Sequence, residues 1–191
     1  MTSGDQEEAD MRPPEIRPSG VERTFGAEEI IVSKTDARGR ITYANSVFLR
    51  VSQYSEEAVL GAPHSIIRHP EMPRGVFRLM WDTISAGREI FAYVNNLAAD
   101  GAYYWVLAHV TPTFDAQRKI TGYHSNRRSP ESAAVRKADE LYRQMIQVER
   151  RHQRPADAIE ASCALLDQRL ADAGKTYEQW VWSLDASEGA R

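Results

Sequence analysis

An α+β fold is the prediction for this chain, and three observations carry it. Two short strand patterns joined by a tight turn occupy residues 29–43, several helical stretches follow, and three strands then run in a meander over residues 90–125. Strands grouped on both sides of a run of helices, without the alternation of a parallel sheet, give a five-stranded antiparallel sheet with its short helices gathered on one side. A C-terminal helical extension completes the chain.

Each element has a local reason. Ile30, Ile31 and Val32 read as a strand, Asp36-Ala37-Arg38-Gly39 as a turn with Gly39 free to take positive φ, and Arg40 to Tyr43 as the partner strand. Asn45 stands at an N-cap, and Val47, Phe48 and Val51 follow at helical spacing. Ser55 opens a second short helix, with Glu56 and Glu57 suited to its positive end and Gly61 closing it. Pro73 fits the first position of a longer helix striped by Val76, Phe77, Met80, Trp81 and Ile84 and stopped by Gly87. The period then changes. Ile90 to Val94 is a strand, Asp100-Gly101 a hairpin turn, Tyr103 to Thr111 a long strand and Lys119 to Ser125 the last.

The domain boundary is expected at Arg127-Arg128-Ser129-Pro130, which divides the chain into a disordered leader (1–26), an α+β domain (27–129) and a helical extension (130–186). In the extension Ser129 and Pro130 can start one helix, Pro155 starts a second, and Thr176 with Gln179 fits a capping box for a third. Three amphipathic helices must bury their stripes on each other, on the sheet or on a partner.

Composition narrows the function. The chain has 191 residues, 42% of them hydrophobic, and a formal net charge of −3, so no global basic field invites nucleic acid. A single cysteine, Cys163, rules out an intrachain disulfide and a cysteine metal cluster. No apolar run approaches the roughly 18 residues of a membrane span and the N-terminus has no signal-peptide core, so a cytoplasmic protein is the expectation. The five histidines form no short metal spacing. Nucleophilic catalysis has no support, since there is no Gly-x-Ser-x-Gly and nothing near Cys163 in sequence to activate it. The clusters Arg127-Arg128 and Arg150-Arg151-His152-x-Arg154 flank the first tail helix among acids and read as a solvated, mixed-charge face.

The stretch Ile66-Ile67-Arg68-His69-Pro70-Glu71-Met72-Pro73 presents charge from a proline-stiffened loop beside an apolar helix face. That suits a ligand that is part apolar ring and part anion. Arg68 offers a fixed fork of donors for phosphate, and His69 can gain a proton when a neighbour gains negative charge. A purely structural loop, with Arg68 paired to Glu71 or another acid, is the other reading. Trp81 at helical spacing reads first as core and then as pocket wall.

These pieces occur in an order that resembles a PAS domain of the bacterial aerotaxis-receptor type. The match runs through Asp36–Gly39–Ile41–Asn45, Val51-Ser52-Gln53-Tyr54-Ser55, Gly61-Ala62-Pro63-His64 and Arg68-His69-Pro70-Glu71-Met72-Pro73. It continues through Trp81-Asp82-Thr83, Gly87, Asn96, Gly101 to Val106 and Gly122-Tyr123, about half the chain. The resemblance implies a PAS fold that binds FAD without covalent attachment, senses redox state or oxygen through the flavin, and passes the signal to a partner protein, as in aerotaxis. It implies a flavin site lined by Arg68, His69, Glu71, Trp81 and Asn96, with Asn45 and Tyr104 as further candidates. Some PAS domains hold haem, which a lone histidine can ligate. The family usually has Asp where Glu71 stands and often Trp where Ile90 stands, beside the expected flavin. The missing ring favours a second reading, a ligand-free adaptor acting by protein–protein contact or as a homodimer. No membrane segment or chemotaxis signalling module is present, so a free-standing, non-enzymatic bacterial sensor is expected.

Overall fold

Side-chain and glycine chemistry at two turns sets the sheet. In the computed structural model, which describes residues 16–185, Asp36 Oδ1 accepts from the backbone N–H groups of Arg38 (2.8 Å) and Arg40 (2.9 Å). Gly39 takes φ 79° beside it. This turn joins β1 (Ile31–Asp36) to β2 (Ile41–Ala44). The Asp100-Gly101 turn, with Gly101 at φ 85°, joins β3 (Ile90–Leu97) to β4 (Tyr103–Phe114), and β5 (Ile120–Arg128) follows. The sheet is antiparallel throughout, in the order β2-β1-β5-β4-β3.

Between β2 and β3 come α1 (Ser46–Ser52), α2 (Glu56–Val59), a 3₁₀ turn (His64–Ile67) and α3 (Arg74–Ser85). Asn45 and Ser55 cap α1 and α2 through their side chains, as the spacing predicts. Pro73 stands one place earlier than predicted, as the N-cap of α3. The 3₁₀ turn is too short to show a period in sequence.

The last strand runs past Ser125 to Arg128, because it has partners on both sides: Arg127 faces Ile31 of β1 and Ala108 of β4. Arg127 therefore belongs to the sheet rather than to a solvated boundary cluster. The strands alternate faces. Ser33, Thr35, Val94, Asn96, Ala108, Val110, Tyr123, Ser125 and Arg127 point toward the short helices. Phe91, Tyr93, Trp105 and His109 occupy alternate positions and point the other way.

The tail forms α4 (Ser132–Glu149), α5 (Pro155–Asp172) and α6 (Tyr177–Asp185), with Glu131 in place of Ser129 as the first N-cap. The capping box forms as read: Thr176 Oγ1 accepts from Gln179 N–H (3.2 Å) and Gln179 Oε1 from Thr176 N–H (2.9 Å). The helices wrap the β3 edge. Tyr142 of α4 stacks 6.3 Å from Trp105 and donates its hydroxyl to Tyr93 O (2.9 Å), while Phe91 meets Trp182 of α6. On the other side of that edge α5 packs on α3 at Gly75, where a Cβ would lie 2.6 Å from Ser162 Oγ. Ala134, Ala138, Met145, Leu166 and Val181 thereby join the same core as Ile31, Phe48 and Val106, each large apolar side chain contributing roughly 2 kcal/mol.

Residues 16–26, expected in the leader, are held against the sheet; residues 1–15 and 186–191 lie outside the described residues. β4 starts four residues before its pairing with β5 begins at Leu107, which leaves Tyr103 with an unmatched backbone side. The arm fills it: Tyr103 N–H donates to Val21 O (2.9 Å) and Arg23 N–H to Tyr103 O (2.8 Å). Unpaired backbone groups away from water are costly, which gives the arm its reason to stay.

Candidate functional site

The inner sheet face, the 3₁₀ turn and α3 enclose a cavity of about 480 Å³, a size that suits a ligand of several fused rings. Its walls are apolar: Phe77, Met80 and Ile84 from α3 face Val94, Ala108 and Val110 from the sheet. Ile159 of α5 also reaches this wall, so the tail takes part in forming the cavity.

The polar end is built around Arg127. This side chain is 3% exposed and carries its charge into the cavity wall. Its Nη2 donates to Ser33 Oγ (2.8 Å) and to His64 Nε2, and Ser33 Oγ lies 3.1 Å from that same nitrogen. Accepting from arginine requires His64 Nε2 to be unprotonated. Burial and then the Arg127 charge push the His64 pKa down to about 3. Burial brings Arg127 down to about 10, so it remains a cation at neutral pH. Among the described residues Arg127 forms no ion pair, and its Nη1 has no hydrogen-bond partner. Asn96 Nδ2, Ser125 Oγ and Thr35 Oγ1, all from cavity-lining residues, are also buried without partners. A buried cation and unused polar groups spread along the sheet wall of an apolar slot suit a ligand with an apolar body and an acceptor-rich, electron-accepting edge. The ring system of a flavin has that form.

The predicted residues fall into two groups. Arg68, Trp81 and Asn96 line the cavity. Arg68 pairs its backbone with Asn96, and its guanidinium lies 4.1 Å over the Phe77 ring. Burial and then the nearby Arg74 charge lower the Arg68 pKa, and no ion pair joins it to Glu71. Trp81 stands at the mouth, 39% exposed, edge-on to Tyr123 at 5.5 Å and packed over Gly39. The other four lie off the wall. His69 is buried, accepts from Glu71 N–H at Nδ1 (3.2 Å) and meets the Tyr103 ring; burial lowers its pKa, which keeps it a neutral stitch in the loop. Glu71 is exposed. Asn45 is engaged in its cap: Oδ1 accepts from Phe48 N–H (2.9 Å) and Val32 N–H (3.0 Å), and Nδ2 donates to Ile30 O (2.8 Å). Tyr104 sits in the core behind the wall, and burial raises its pKa. Ile90 is buried on the same sheet face, opposite the lining residue Val110, without itself lining the cavity.

His64, Ser33 and Arg127 are the residues sequence reasoning missed. Tyr123, Ser125 and Arg127 continue the period of two that places a side chain on the inner face, and that was the available signal. Nothing in sequence marks His64, whose contacts are made to β1 and β5 across the sheet. With its Nε2 lone pair engaged by Arg127, His64 offers none at that atom to a haem iron. Among the described residues no group of three His, Cys, Asp or Glu is placed to hold a metal ion, and no helix is long and apolar enough to cross a membrane.

Comparison with known proteins gives this geometry a context. Residues 41–127 match the family described as PAS fold. The aerotaxis receptor of Escherichia coli (strain K12) is 35% identical over 113 residues, 59% of this chain and 22% of that protein. The nitrogen fixation regulatory protein of Klebsiella pneumoniae is 32% identical over 94 residues, 49% of this chain and 19% of that protein. Among solved structures, the dark structure of the blue-light photoreceptor Aureochrome1 LOV aligns with a TM-score of 0.52 at 25% identity, covering 61% of this chain and 86% of that one. The chain spans about a fifth of the length of these two curated relatives.

Proposed function

From the PAS domain that this chain carries, we propose that it works as a redox- or oxygen-sensing module, binding FAD non-covalently in the cavity and relaying the flavin's state to a partner protein. One observation carries the reading: an unpaired, buried Arg127 at the polar end of an apolar cavity, in a chain related to an aerotaxis receptor. A bound flavin supplies reversible reduction, which adds negative charge to its ring system. Arg127 sits where it can oppose that charge, and Asn96 and Ser125 have the free polar atoms to hold a ring edge. The apolar walls exclude water, which strengthens each of these contacts. Arg68 at the loop is placed for phosphate.

The relay has a physical route. A change at the cavity reaches α3 through Phe77 and Ile84, and reaches α5 through Ile159 and the Gly75–Ser162 contact. The tail can thus report the pocket's state to a partner, in aerotaxis or a related energy-sensing pathway. Its relatives are a receptor and regulatory proteins, and we read this chain as a signalling module rather than an enzyme.

An absorption spectrum of the purified full chain tests the reading. Flavin bands in the blue that bleach reversibly on reduction are the expected result. A colourless protein that takes up no added FAD would sink it and leave the ligand-free adaptor.

A further inference from the structure

A second cavity, of about 640 Å³, opens on the far side of Arg68 and Arg74, between that loop and the turn joining α4 to α5. The two arginines line both cavities. The tail contributes Arg150 and His152 to the second wall, and Glu149 is the acid there. Its Oε1 accepts from Gly75 N–H (3.1 Å), and its charge also acts on Arg68, so one acid stands against the four basic side chains of this wall. Among the described residues, Arg68, Arg74 and Arg150 have no ion-pair partner. Cationic side chains therefore converge from two parts of the chain on one space, as an anion site requires.

We propose that this second cavity is a nucleoside diphosphate site, closed on one side by Arg68 and Arg74 and on the other by Arg150 and His152 of the tail. The proposal rests on the flavin reading only in joining the two cavities: the ring system fills the first, and the diphosphate passes the shared arginines into the second. A single phosphate would be satisfied at Arg68 and Arg74. Arg150 and His152 stand beyond them, around a space larger than the first cavity, where a second phosphate and a nucleoside fit. The tail then supplies part of the ligand site, and ligand binding fastens α4 and α5 to the 68–74 loop.

Calorimetric titration of the full chain with adenosine diphosphate, riboflavin and FAD tests this. Wild type is expected to bind ADP in competition with FAD. Replacing both tail cations (Arg150→Ala with His152→Ala) is expected to weaken ADP and FAD about 10-fold or more, the loss of one or two charge-assisted hydrogen bonds. Riboflavin, which has no phosphate, keeps its wild-type affinity. Arg150→Glu, also at an exposed position, should weaken ADP further. Absence of ADP binding to wild type, or unchanged ADP and FAD affinity in the variants, overturns the proposal. If ADP binds while riboflavin and FAD do not, the flavin reading falls and the nucleotide site stands.

Discussion

The two ends of the main cavity hold cations in opposite ways. At the floor, Arg127 is buried in the sheet with Ser33 and His64 as its neutral partners. At the rim, Arg68 and Arg74 look toward a second, wider space with Arg150 and His152 across it. A desolvated charge without a counter-ion costs several kcal/mol and responds strongly to whatever occupies the cavity. A hydrated charge, as at the exposed Arg74, costs little, attracts at longer range and is screened by salt. The floor is built to register a change of charge, and the rim to capture and hold.

The sharpest way to break this contrast is Arg127→Met. Removing a buried, unpaired charge should stabilise the ligand-free protein, by about 1–4 kcal/mol, while flavin affinity falls by about 2–5 kcal/mol. Thermal unfolding with and without FAD reads both. If stability and binding fall together, Arg127 is a structural residue and the floor has no special role. Arg74→Ala at the rim should leave the ligand-free melting point in place.

Acid titration sharpens the same contrast. The His64 pKa is about 3 in the folded chain against an ordinary value of 6.5, so between those values the unfolded chain binds the extra proton. Stability from this group is present above pH 6.5 and is lost as pH falls toward 3, at up to about 1.4 kcal/mol per pH unit. Denaturant unfolding across that window should show the slope, and His64→Gln should flatten it. An unchanged slope in the variant would mean that other groups set the acid limit.

The contact between cavity and tail comes next in size. Gly75→Ala places a Cβ 2.6 Å from Ser162 Oγ and 3.1 Å from Met145 Cε, and should cost about 1–3 kcal/mol. Fluorescence of Trp180 and Trp182 would show whether the tail shifts, and Ser162→Gly in the same chain should restore the wild-type melting point. Salt gives the smallest effect. Raising it from about 0.05 to about 0.5 M should weaken FAD a few-fold through the rim and leave riboflavin, held at the shielded floor, nearly unchanged.

Much of this architecture was readable from the chain because its signals are local. The Asp36-to-Gly39 and Asp100-Gly101 turns, the Asn45 and Ser55 caps and the Thr176–Gln179 box each need only residues a few places apart. Trp81 reaches the cavity on a helix that the periodicity located and Asn96 just beyond the predicted end of its strand, whereas Arg68 stands on the loop after the 3₁₀ turn, where no period shows. Arg127 was lost because an arginine pair before Ser-Pro reads as a boundary, although the period of two continued through it. His64 was lost because its partners stand 31 and 63 residues away in sequence. The same holds for the arm at Val21 to Arg23, whose place depends on where β4 and β5 stop pairing. Asn45 illustrates the reverse case: its side-chain oxygen is spent on two backbone amides, and the residue stands off the cavity wall.

The wrapping of the β3 edge by the tail has a practical consequence. Tyr142 engages the Tyr93 carbonyl and covers Trp105, and Trp182 packs on Phe91. A piece cut at residue 129 would bare much of that eight-residue strand and two aromatic rings to solvent, a template on which other chains add by strand pairing. The helices past residue 129 thus act as a solubility guard for the sheet, and expression trials that trim the chain to its family-matching part should yield aggregate where the longer chain stays monodisperse.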